Sequence, residues 1–155
     1  MKQRIIRTLL CVVVSMVSLS VNAQVKAFEK YADMKNVSYV YISKYMLGMA
    51  SKSAAPSVPG VDMKSLSSKL TGLQIISSEE KTARTKLKND VKEILARDKY
   101  EVLMQVREDG SKVDIYYCVG KQQSVVVMLV DDDGEATVMV FSGHFTLDDV
   151  MKMTK

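Results

Sequence analysis

Between Tyr100 and Ser142 the chain runs through β-branched, apolar-rich segments, the first two alternating with a period of two, and is punctuated by Asp109-Gly110 and Asp133-Gly134. That pattern restricts it to four consecutive strands joined by short turns. Asp-Gly suits a two-residue hairpin because both central positions take positive φ, which Gly adopts freely and Asp tolerates. Folding about Asp109-Gly110 predicts Val106 opposite Val113, Met104 opposite Ile115, Val102 opposite Tyr117 and Tyr100 opposite Val119, all apolar. The intervening pairs, Arg107 with Lys112, Gln105 with Asp114, Leu103 with Tyr116 and Glu101 with Cys118, are mostly polar. A slip of one residue would mix the two sets, so turn chemistry and alternation agree on one register.

The second hairpin turns at Asp133-Gly134 and predicts Val130 opposite Thr137, Met128 opposite Met139 and Val126 opposite Phe141. Its other face is apolar as well, with Leu129 opposite Val138 and Val127 opposite Val140. Strands of this kind need cover on both sides. One cover is expected to be helical; the other has to come from a second helical layer, from N-terminal elements or from another polypeptide. A turn from Gly120 to Gln123 links the hairpins into a meander.

Upstream, Val37 to Ser43 is β-branched and aromatic throughout and reads as a well-buried strand, with Ser38, Val40 and Ile42 on one face and Val37, Tyr39 and Tyr41 on the other. A short amphipathic helix over Val25 to Met34 precedes it, stopped by Asn36 in the left-handed conformation. Ser43 is placed to cap a helix carrying Tyr45, Met46 and Met49, which Gly48 weakens. Ser51 to Gly60 holds both prolines and reads as a mobile connecting loop. Asp62 then caps a modest helix through Met63, Leu66 and Leu70, closed by Gly72, and Leu73 to Ser77 is a short strand.

The longest helix is expected from Glu79 to Asp98, with Ser77 and Glu80 forming its capping box and Ala83, Leu87, Val91, Ile94 and Leu95 its apolar stripe. Lys86, Lys88, Lys92 and Arg97 spread along it, interleaved with Asp90, Glu93 and Asp98, and read as a solvated face rather than an anion site. At the far end, Thr146 and Asp149 make a second capping box, and Phe145 with Val150 a hydrophobic staple. The predicted fold class is α+β: an antiparallel meander sheet, extended by the strands at Val37 and Leu73 and packed with helices in two or partly three layers.

Lys2, Arg4 and Arg7 precede an apolar run from Leu9 to Val21 that ends in Val21-Asn22-Ala23, the pattern of a secretory signal peptide cleaved after Ala23. The run is shorter than the roughly 20 residues of a membrane span. Cys11 lies inside the apolar run rather than at the cleavage point, so lipid anchoring is the lesser alternative. The expected organisation is therefore a leader over 1–23 and one domain over 24–155, periplasmic or extracellular, with no stable span in the mature chain. Cleavage removes three of the 22 Lys and Arg and none of the 18 Asp and Glu, leaving 19 against 18 and a formal charge of +1 instead of +4. The basic pI thus owes much to the leader and does not argue for nucleic acid as a partner. Cys118 becomes the one remaining cysteine, which excludes an internal disulfide, and its strand position reads as a small buried hydrophobe.

Three features invite chemistry. The acids of Asp131-Asp132-Asp133-Gly134-Glu135 are consecutive, without the alternate spacing and distal Glu of a calcium loop, and read as a solvated hairpin tip. His144 is the only histidine, which excludes any site needing two; beside Asp148 and Asp149 it could anchor a small hydrolase, but capping accounts for those acids. Met46 and Met49 suggest soft-metal ligation, yet no His or Cys reinforces them, and Met104, Met128 and Met139 fall at strand core positions. No phosphate loop, zinc spacing or serine elbow is present. No catalytic, cofactor-binding or metal residues are therefore assigned, and the expected function is a non-catalytic binding module that works through a protein partner or self-association. A carrier of a small apolar ligand such as a lipid would draw on the same apolar surplus.

Phe28-Glu29-Lys30-Tyr31, the run Val37 to Met46, Tyr100-Glu101-Val102-Leu103-Met104 and the run Phe141 to Asp149 resemble the landmarks of domain-of-unknown-function family 4252, small exported proteins of Bacteroidetes. The resemblance covers nearly all of the chain after the leader. It implies export and an envelope-signalling context, and carries no established activity or catalytic residues.

Overall fold

The structure, a computed structural model, describes residues 25–53, 68–120 and 123–153. The expected leader, most of the Ser51 to Gly60 loop and the helix start at Asp62 lie outside them. Six strands form one antiparallel sheet: β1 (Ser38–Ser43), β2 (Leu70–Ser78), β3 (Glu101–Glu108), β4 (Ser111–Val119), β5 (Ser124–Asp132) and β6 (Glu135–Gly143), in the order β1-β2-β6-β5-β4-β3. Among the described residues it is accompanied by α1 (Lys44–Ser53), α2 (Lys81–Arg97) and α3 (Leu147–Met153), with a 3₁₀ turn at Glu29–Asp33 over the second half of the expected amphipathic helix. The fold class is α+β, as the strand and helix patterns require.

The meander β3 to β6 pairs in sequence, but β2 lies beside β6, so the chain must cross the whole meander to start β3 at the far edge. Four strand spacings amount to about 19 Å. The 17 residues of α2 extend for roughly 25 Å, so the helix both carries the chain across and covers what it crosses. Its stripe of Ala83, Leu87, Val91, Ile94 and Leu95 is buried as the periodicity predicts. Leu87, Val91, Ile94 and Leu95 pack with Phe28 and Tyr31 of the N-terminal segment on Ile76, Val125, Val127, Leu129, Val138 and Val140. The opposite face is covered by Leu47 of α1 and by Phe145 and Val150 at α3, over Leu70, Leu73, Ile115, Tyr117, Val126 and Phe141. Both covers of β5 and β6 are thus helical on one side and helical with the Phe145 segment on the other.

The second hairpin has the predicted register throughout, Met128 opposite Met139 and Val127 opposite Val140 included. The first keeps it at Val106/Val113 and Met104/Ile115, then departs: an irregularity between Val102 and Met104 sets Val102 opposite Tyr116 and Glu101 opposite Tyr117. The extra residue is Leu103, which packs into the α3-side core while Val102 turns outward and is 54% exposed. A bulge of this kind bends and twists an edge strand, and β3 is an edge.

Four other expectations are corrected. Ser77 does not cap α2; it lies in β2 between Ser38 and Thr137. Glu80 is the cap, accepting from the backbone N–H of Thr82 at 3.0 Å and Ala83 at 2.7 Å. Leu70 and Gly72 belong to β2 rather than to a helix end, because pairing with Gly143 and Ser142 extends the strand. Residues Ser51–Ser53 continue α1 instead of opening the loop. The strand at Val37 to Ser43 is an edge strand, half exposed, since only β2 pairs with it. By contrast Asn36 does take the left-handed conformation, at φ 60°, and Ser43 Oγ does accept from the N–H of Met46 at 3.4 Å.

The placement of α2 and of the bulge can be tested together. Leu87→Ala should cost about 2–5 kcal/mol in urea unfolding, whereas Val102→Ala should stay within about 0.5 kcal/mol. A large loss at Val102 would mean that it faces the core in the unbulged register.

Candidate functional site

The residues that the sequence offered for chemistry do not converge. His144 is exposed, its backbone N–H donating to the carbonyl of Lys69 at 2.8 Å; its imidazole has no hydrogen bond or ion pair among the described residues. Asp149 is held by Lys69 Nζ at 2.5 Å and by the backbone N–H and hydroxyl of Thr146 at 2.8 and 3.0 Å. The acidic turn divides: Asp131 binds Lys88 of α2 at 2.7 Å, while Asp132 accepts from the backbone N–H of Asp133 at 2.8 Å. Asp131 is therefore part of a strand-to-helix ion pair rather than of a solvated tip. Cys118 is half-buried instead of buried, its thiol 3.8 Å from the carbonyl oxygen of Asp98. Among the described residues no three His, Cys, Asp or Glu side chains gather as a metal site.

The methionines expected in the core are only partly covered, for a reason visible in the register. Val40, Ile75, Met139, Met128, Ile115 and Met104 stand successively opposite one another across all six strands, on the α3 side. One row nearer α3, Ile42, Leu73, Phe141, Val126 and Tyr117 repeat this, and four of those five are buried. In the outer row Ile115 alone is buried, and at its two ends Val40 is 46% and Met104 37% exposed. Cover on this face thus fades toward the hairpin turns.

Apolar exposure is most concentrated at β1 and α1. Of the ten large apolar side chains exposed among the described residues, Val40, Tyr41, Tyr45, Met46 and Met49 come from one ten-residue stretch. α1 buries Leu47 against the sheet and turns Tyr45, 76% exposed, with Met46 and Met49, to solvent. The Tyr41 ring lies over Gly72, where a Cβ would come within 3.1 Å of it. β1 itself, Ser-Tyr-Val-Tyr-Ile-Ser, carries no charge. The other edge, β3, carries Glu101, Arg107 and Glu108 and the bulge at Leu103. Charges and bulges are among the ways edge strands avoid pairing with other chains, and β3 has both while β1 has neither. Nothing in the six residues of β1 separates an apolar edge from a buried strand; the outward Tyr45, Met46 and Met49 beside a single inward Leu47 are the available signal.

A second feature is a groove of about 640 Å³ between the α2–β3 turn, the ends of β4 and β5, and the start of α3. Leu103, Tyr117, Val119, Phe145 and Leu147 give it apolar walls, and on its floor the Tyr117 hydroxyl and Ser124 Oγ lie 3.3 Å apart.

Residues 31–153 match a family described as a domain of unknown function, DUF4252. The chain belongs to this family. Neither a curated protein nor a solved structure matches it. The family match spans all six strands and α1 to α3, so the β1–α1 surface, the groove and the α3 junction of this DUF4252 chain all lie within it. No helix among the described residues is long and apolar enough to cross a membrane.

The α3 junction is built on close contact. A Cβ at Gly143 would come within 2.3 Å of the Lys69 carbonyl oxygen, so only glycine lets β6 pass the start of β2. Phe145 and Val150, both nearly fully buried, then staple the helix entry. Lys69, with the Thr146 amide and hydroxyl, holds the Asp149 carboxyl well below its ordinary 3.8, at about 2. A lowered carboxylate stabilises the fold above its unfolded value and loses that contribution as pH falls through the folded one. Stability should therefore drop between about pH 4 and pH 2 more steeply in the parent than in Asp149→Asn. Thermal melts across that window check this, and equal slopes would sever the link to Asp149.

Proposed function

We propose that this DUF4252 chain is an exported, non-catalytic interaction module of the cell envelope, and that it works through the β1 edge and the adjoining outer face of α1. The leader-like residues 1–23 support export. The envelope-signalling setting rests on the family resemblance alone. The observation that carries the reading is the uncharged β1 edge, unpaired among the described residues, beside Tyr45, Met46 and Met49. Tyr and Met are enriched where proteins meet, and an unguarded edge accepts a further strand through its main chain.

The occupant proposed is a second copy. An antiparallel β1 pair with its two-fold axis at Val40 sets Val40 on Val40, Tyr39 on Tyr41 and Ser38 on Ile42, with no charge buried and two aromatic cross-strand pairs formed. Such an interface is isologous and closes on itself, so it ends at two subunits instead of growing into a fibre. A hydrolase at His144 is not favoured, because its imidazole has no titratable partner among the described residues. A narrower second reading, carriage of a small apolar ligand, is favoured by the 640 Å³ groove, which lies within the roughly 300–1,000 Å³ range of small-molecule sites.

Native mass spectrometry and light scattering on the exported protein test both. The expected result is a dimer that Val40→Lys converts to a monomer that still unfolds cooperatively, with a melting point that no longer rises with protein concentration as the parent's does, since Val40 is half exposed in the single chain. A monomeric parent without a bound mass would end the self-association and ligand readings together; a monomer with a lipid-sized adduct, lost in Leu103→Glu, would decide for the groove.

A further inference from the structure

On the α2 side of the sheet, a cleft of about 270 Å³ separates Lys88 and Lys92 of α2 from Arg107 and Lys112 of the first hairpin, with Asp114 and Asp131 in its walls. The four cations come from two elements, and in each they break that element's own rule. Lys88 and Lys92 are one helical turn apart, where like charges repel. Arg107 and Lys112 stand directly opposite in the β3–β4 ladder, where like charges are again unfavourable.

Two of the four are answered. Asp131 takes Lys88 at 2.7 Å, although in the ladder it stands opposite Lys112. Asp114, nine-tenths buried, takes Arg107 at 2.5 Å and accepts from Gln105 Nε2 at 3.1 Å. Arg107 is further fixed by donating to the carbonyls of Val106 and Val113 at 2.8 and 3.3 Å. Lys92 and Lys112 have no hydrogen bond or ion pair among the described residues, which leaves a surplus of two positive charges facing a polar cleft. Local repulsion retained in two elements at once, around one cavity, is the pattern expected where stability is given up for a site.

We propose that this cleft binds a phosphate monoester group. Such a group carries about −1.5 to −2 charge near pH 7, which matches the surplus, and has three acceptor oxygens for the converging donors. The volume lies below the roughly 300 Å³ floor of drug-sized pockets and suits a small anion. Free phosphate and a phosphate headgroup on a lipid offer the same chemistry. The inference is independent of the β1 interface, which lies at the other edge of the sheet.

Amide NMR titration with sodium phosphate, against sodium chloride at equal ionic strength, is the first arm; co-sedimentation with phosphatidylcholine vesicles with and without phosphatidic acid is the second. Saturable shifts confined to Lys88, Lys92, Arg107 and Lys112 are expected, weakened at least tenfold in Lys92→Gln/Lys112→Gln and untouched by Lys81→Gln outside the cleft. In chloride the double variant should melt no lower than the parent, because repulsion is removed. Phosphate shifts identify a soluble ligand and vesicle binding alone identifies a headgroup, each supporting the site. Neither response, a response that the double variant retains, or a lower melting point of that variant in chloride overturns it.

Discussion

β5 and β6 are apolar on both faces, and the arrangement of the other elements follows from satisfying that demand. A strand pair with Val127, Leu129, Val138 and Val140 on one side and Val126 and Phe141 on the other cannot lie at the surface of a two-layer protein. Placing β2 beside β6 makes the pair central and at the same time forces the chain to cross from β2 to β3. The crossing segment is α2, so the element that solves the connection also supplies the first cover. The second cover is assembled from shorter pieces, Leu47 of α1 and the Phe145 and Val150 staple of α3. Being shorter, they leave the outer row from Val40 to Met104 half covered.

Central placement of β5 and β6 also decides which strands become edges. β3 meets that role with charge and with a bulge that turns Val102 out and Leu103 in. β1 meets it with neither, and its Tyr41 is packed over Gly72 rather than turned into a charged guard. The same topology brings the first hairpin alongside α2, which explains why a helix that looks merely solvated in sequence forms one wall of a charged cleft.

The first hairpin was legible in sequence because period-two alternation and an Asp-Gly turn constrain each other over a dozen residues, the second because Asp-Gly joins two short, continuous apolar runs, and α2 because five apolar positions recur at helical spacing. What escaped depends on partners remote in sequence. Ser77 and Glu80 satisfy a capping box by spacing, but Ser77 is taken up between Ser38 and Thr137, and Glu80 caps alone. Leu103 bulges because β3 has a neighbour on one side only, a fact of strand order. The cleft needs Lys92 and Lys112 to meet across 20 residues of chain, and β1 reads as buried because an apolar strand looks the same whether its second partner is present or missing.

The two proposed surfaces constrain one another through sheet twist. In a β1-paired dimer the two β4 strands lie nine spacings apart, about 43 Å along the joined sheet. If the joined sheet were flat, the two-fold axis would leave both clefts facing the same way, as for a bivalent grip on one anionic surface. Adjacent strands rotate by roughly 20–25°, so nine steps turn the sheet face through roughly 180–225°. The clefts then look in nearly opposite directions. At that average twist, avidity toward a single flat membrane is not expected, since linked sites strengthen binding only when both can engage together. A dimer of this kind would instead hold two phosphate groups on opposite sides, which fits separate soluble ligands or two apposed surfaces and not one.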